Sequence, residues 1–113
     1  TAEEIQAVID SVNSLETVSG VTSGTVTGST ITADELNAIE GVSGADAANE
    51  SLYADALANG TYADSSNPTA EEIQAVIDSV NSLETVSGVT SGTVTGVTIT
   101  ADELNAIEGV SGA

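Results

Sequence analysis

The sequence predicts an α+β fold, mainly α, built as tandem 68-residue units of short capped helices joined by a short Thr/Val/Gly-rich β region. Three observations predict it. Thr69 to Ala113 repeats Thr1 to Ala45 with one difference, Ser29 in the first copy against Val97 in the second. Each copy carries a Thr-Ala-acid-Glu start followed by apolar residues at helical spacing. Between these starts lie the β-favouring triplets Thr25-Val26-Thr27 and Thr30-Ile31-Thr32, punctuated by Gly24 and Gly28. Residues 1–68 are then one complete unit, and residues 69–113 are the first part of a second. Near-identical copies at a fixed period are the signature of an array whose members complete one another's cores.

Taken in order, Thr1 opens a helix with a capping box. Its hydroxyl accepts from the third helical amide, and Glu4 reaches back, while Glu3 and Glu4 both suit the positive end of the helix dipole. Ile5, Val8, Ile9, Val12 and Leu15 make one apolar stripe, with Gln6, Asp10, Asn13 and Ser14 on the opposite side. Gly20 is the expected terminator. One or two short strands follow between Gly20 and Ile31, with a hairpin around Thr27-Gly28, and such a strand edge invites pairing with another chain. Thr32 opens a second capping box with Glu35, followed by Leu36 and Ile39 and closed by Gly41. Asp46 to Asn59 reads as a third helix with Leu52, Tyr53, Ala56 and Leu57 on one side, and Gly60 stands where a left-handed residue would end it. Thr61 to Pro68 is a turn-rich connection into the next copy, which begins its own helix at Thr69.

Composition narrows function by exclusion. The chain has 18 acidic residues and no Lys, Arg or His, for a formal charge of −18. Nucleic acid is excluded as a partner, because binding phosphate needs cations that displace counterions. Anionic membrane surfaces are excluded for the same reason, and no segment reads as a membrane span. There is no Cys, Met, Trp or Phe, and Tyr53 and Tyr62 are the two aromatics. A core without Phe, Trp or Met has few large side chains, so packing against neighbouring units or other chains is expected. The same chemically quiet composition suits an extracellular, cell-surface protein.

Catalysis finds no foothold, and the chain reads as a non-enzyme. No His, Cys or Lys is present to act as base or nucleophile. The paired acids Glu3/Glu4, Asp34/Glu35, Glu71/Glu72 and Asp102/Glu103 are ordinary decoration of helix starts. Calcium is the better chemical candidate, because uncompensated carboxylates gain from a divalent counterion. Any such site would gather residues distant in sequence, namely Asp46, Glu50, Asp55 or Asp64, with carboxylates of a neighbouring unit. Asn49-Glu50-Ser51 and Asn59-Gly60-Thr61 are N-glycosylation sequons, which makes Asn49 and Asn59 candidate modification sites.

Thr32-Ala33-Asp34-Glu35-Leu36-Asn37-Ala38-Ile39-Glu40-Gly41-Val42-Ser43, repeated at Thr100 to Ser111, resembles a short motif of phage tail-fibre and related surface-fibre proteins. Ala38 stands at the motif's typically aromatic position. The acidic, Thr/Val/Gly-rich texture with near-identical tandem units is similar to the extender regions of large bacterial adhesins and to extracellular filaments of bacteria and archaea. These resemblances imply secretion, repetition and a mechanical or adhesive role, with copies of the chain itself as partners. The leading expectation is thus a structural repeat, in a self-assembling filament or an adhesin stalk. A trimeric tail-fibre segment is the second reading, and a calcium-responsive binding module is the third.

Overall fold

A computed structural model describes residues 1–113. Five α-helices and one short 3₁₀ turn make up its regular structure. They are α1 (Ala2–Thr22), α2 (Ala33–Asn37), the 3₁₀ turn Ala47–Asn49, α3 (Glu50–Ala58), α4 (Ala70–Thr90) and α5 (Ala101–Ala106). There is no strand, so the expected α+β class is corrected to all-α. A single core joins Val18, Val21, Ile31, Leu36, Ile39 and Val42 of the first copy, Tyr53 and Leu57 of the stretch between the copies, and Ile73 and Ile77 of the second copy.

The capping chemistry acts as the sequence predicts. Thr1, Thr32, Thr69 and Thr100 each accept from the backbone amide three residues on, and Glu4, Glu35, Glu72 and Glu103 each return the bond. Asp46 caps the 3₁₀ turn that leads into α3.

The missing strands have a local cause. α1 does not stop at Gly20 but runs on to Thr22, and the left-handed residue that ends it is Gly24, at φ +81°. The chain then folds back, so that Val26 N–H and Thr25 Oγ1 both donate to Gly20 C=O, at 2.9 and 3.1 Å. Gly20 is needed for closeness rather than termination, because a Cβ there would lie 2.9 Å from Val26 Cγ2. Gly28 turns the backbone again at φ +73°. With positive φ at both glycines and Val26 N–H spent on the helix end, the Thr/Val run does not extend as a ladder. The second copy repeats this arrangement with Gly88, Gly92, Val94 and Gly96. Gly60 likewise departs from expectation, since its φ is not positive. Its role is to admit the Tyr62 hydroxyl, which a Cβ at that position would meet at 2.5 Å.

α3 packs against both α1 and α4 and forms the layer between them. The resulting body measures 45 × 31 × 26 Å. No helix in it is long and apolar enough to cross a membrane.

Candidate functional site

The two long helices share one 21-residue sequence but lie in different surroundings. On α4, Ile73 and Ile77 are fully buried, with Val76 and Val80 half-buried beside them. On α1 the same positions are bare, Ile5 at 63% and Ile9 at 45% exposure, with Val8 and Val12 exposed as well. Towards the C-terminal ends the relation inverts. Val18 and Val21 are buried, whereas Val86 is half-buried and Val89 exposed. Ile31, Leu36 and Val42 are buried too, and their counterparts Ile99, Leu104 and Val110 are not. The segment that makes the difference is a connector, residues 43–68, made of the last three residues of the first copy and the unrepeated stretch after it, with Tyr53 and Leu57 at its centre.

Polar contacts show how the connector is held. Gln74 reads the backbone of Ser43 in both directions, its Oε1 accepting from Ser43 N–H and its Nε2 donating to Ser43 C=O, each at 2.8 Å. Asn81 is the hub. Its Oδ1 accepts from the Tyr53 hydroxyl and from Asn49 Nδ2, and its Nδ2 donates to Gly44 C=O at 2.9 Å. The Tyr53 hydroxyl in turn accepts from Asp46 N–H at 2.9 Å, so the buried phenol is fully satisfied. Glu72 accepts from Thr69 N–H and from Ala63 N–H, both at 2.9 Å. These amides hold its carboxyl below the usual carboxylate range. Tyr62 donates to Leu57 C=O. Burial, and then the negative charges of Glu72 and Glu108, push its phenol up to about 12. On the α1 side, Thr22 Oγ1 donates to Ser65 C=O at 2.6 Å, and Ala33 N–H donates to Glu50 Oε2 at 3.0 Å.

Sequence reasoning placed Gln6, Asn13 and Ser14 opposite the apolar stripe, and the structure corrects this. Ser14 and Ser82 are buried, and Gln74 and Asn81 face the connector. Ile5, Ile9 and Asn13 are spaced four residues apart and therefore share a face, a signal available in the sequence.

The four candidate calcium ligands are not brought together. Asp46 accepts from Ala48 N–H and Glu50 from Ala33 N–H. Asp64 closes its own turn through Ser66 N–H and Asn67 Nδ2, with Asn67 first in holding its carboxyl low. Asp55 is exposed on α3. Nowhere do three or more acidic side chains gather in a way that could hold a metal. Of the two sequons, Asn49 has its amide nitrogen engaged with Asn81, and Asn59 is exposed at the end of α3.

No protein-family model, curated protein or solved structure matches the chain.

Proposed function

We propose that this chain is a structural repeat of an extracellular surface protein, a filament or adhesin stalk that extends by helix packing. One observation carries the reading: apolar positions left bare in one copy are covered in the other. A repeat with a connector on both sides would bury Ile5 and Ile9 as Ile73 and Ile77 are buried, and would keep Val18, Val21, Ile31 and Leu36 buried as well. That is the energetic pattern of a solenoid, in which each member draws part of its stability from its neighbours. Assembly in this form needs no strand pairing. The absence of Lys, Arg, Cys and Met from the sequence supports a protease-resistant, oxidation-resistant location outside the cell.

Concatenated chains of two, three and four 68-residue units test the reading. Thermal stability should rise with each added unit and then level off, and the long dimension from small-angle scattering should grow in proportion. Stability independent of unit number would defeat the stacking model. A stable trimer by sedimentation would favour a tail-fibre arrangement instead. Antibody labelling of intact cells tests the location.

A further inference from the structure

We propose that the bare face of α1, made by Ile5, Gln6, Ile9 and Asn13, is a preformed docking site for a second connector, a segment with the sequence Ser43–Pro68 supplied by another repeat. The inference rests on the repeat reading above and adds the surface, the occupant and the recognition chemistry.

Every part of the α4 site is present on α1. The 21 residues are identical, both helices start from the same capping box, and both continue to the same glycine-ended turn. The flank is the same too. Ser11 Oγ accepts from Glu40 N–H at 2.9 Å, and Ser79 Oγ accepts from Glu108 N–H at 3.0 Å. This places the turn after the short helix at one position along each long helix. A groove results in both copies, lined by Ala7, Val8, Ser11 and Ala38 in the first and by Ala75, Val76, Ser79 and Ala106 in the second. In the second, Ala56, Gly60 and Thr61 of the connector form a further wall. In the first, that wall is missing.

The polar readers are idle in the first copy. Gln6 bonds Asp10 within its own helix, as Gln74 does with Asp78, but lacks the two Ser43-type backbone contacts. Asn13, the equivalent of the Asn81 hub, is exposed. Every residue from 1 to 10 is exposed, so the face is open to approach. The occupant is specified by more than apolarity. It must present a glycine carbonyl and a tyrosine hydroxyl to the asparagine, and a serine peptide group to the glutamine. Within this chain Ser43, Gly44 and Tyr53 meet that description and are seen doing so.

The test joins an extra copy of the Ser43–Pro68 sequence directly before Thr1, in the order that Pro68 has before Thr69. Amide hydrogen exchange over the first half of α1 should slow about tenfold or more, towards the rates of the same residues in α4. Ile9→Glu and Asn13→Ala should each abolish that protection, yet leave the melting of the unextended chain unchanged. Unaltered exchange overturns the proposal, and so does protection that survives Ile9→Glu. So does protection already present in the unextended chain through pairing of two α1 faces, which sedimentation detects as a dimer. If concatenated units still gain stability while the added connector leaves α1 unprotected, the docking assignment falls and the stacking reading stands. If neither effect appears, both fall.

Discussion

The duplicated helix is an internal control for burial, and Ile9 against Ile77 is its sharpest pair. Both residues sit in the same 21-residue sequence at the same distance from the same cap, so propensity and capping cancel between them. They differ in surroundings, Ile77 being fully buried and Ile9 45% exposed. Ile→Val keeps the β-branch and removes one methylene. At Ile77 it should cost about 0.5–1.5 kcal/mol, and Ile77→Ala about 2–5 kcal/mol, through lost transfer energy and the cavity left behind. At Ile9 the same changes should stay within about 0.5 kcal/mol, as for ordinary surface substitutions. Unfolding entropies of roughly 2 cal/mol/K per residue imply a shift of about 4 °C per kcal/mol for a chain of this size. Ile77→Ala should then lower Tm by about 8–20 °C, and Ile9→Ala by no more than about 2 °C. Urea titration followed by far-UV circular dichroism gives the same comparison isothermally. Equal losses at the two positions would refute the placement of the connector on α4, because the expected difference comes from its burial of Ile77.

Asn81→Ala strips the buried Tyr53 hydroxyl and Gly44 C=O of their partner and should cost about 1–3 kcal/mol in urea unfolding, while Asn13→Ala should be nearly silent. The Tyr62 phenol, raised to about 12 in the fold, should contribute stability that is full below its unfolded value of 10.0 and lost as pH rises from there through about 12. Phenolate absorbance and circular dichroism followed together should show unfolding within that window. Gly60→Ala places a Cβ against the Tyr62 hydroxyl, so it should displace the ring and bring the phenol back towards its ordinary range in an absorbance titration. Raising sodium chloride from low to physiological strength should increase Tm, since 18 carboxylates with no cationic side chain repel one another and the Debye length shrinks to about 8 Å. A Tm that fell with added salt would contradict that electrostatic picture.

What the sequence disclosed and what it concealed divide along the range of the interactions. All four capping boxes were readable, because each is settled within about four residues, whereas α2 ends at Asn37 and Gly41 makes a separate turn beyond it, at φ +87°. The Thr/Val segment was misread because β-propensity describes fitness for a pleated surface, and here no such surface forms. The spacing of Gly20, Gly24 and Gly28 by four residues was the available clue, since it puts a bare backbone one helical turn below the left-handed cap. Asn81 as hub was not legible, because its partners lie 28 to 37 residues away and nothing local marks the pairing. The engagement of the calcium candidates was hidden as well, since a carboxylate's backbone partners are not marked in the sequence. Asp46 and Asp64 each accept from an amide two residues on, and Glu50 accepts from Ala33 N–H, 17 residues away.

A bare apolar helix face ordinarily invites unspecific association. Here the charge of −18 opposes any approach of two such bodies, and burying Ile5 and Ile9 must overcome that repulsion. Apolar contact alone would gain equally from many partners, so it cannot select the register. The asparagine and glutamine readers can, because their pairing fails unless a serine peptide group, a glycine carbonyl and a tyrosine hydroxyl arrive together. Charge then suppresses wrong contacts, the isoleucines supply the driving force, and Gln6 and Asn13 set the register. This division of labour makes association of extended chains salt-dependent in rate and dependent on Asn13 in specificity.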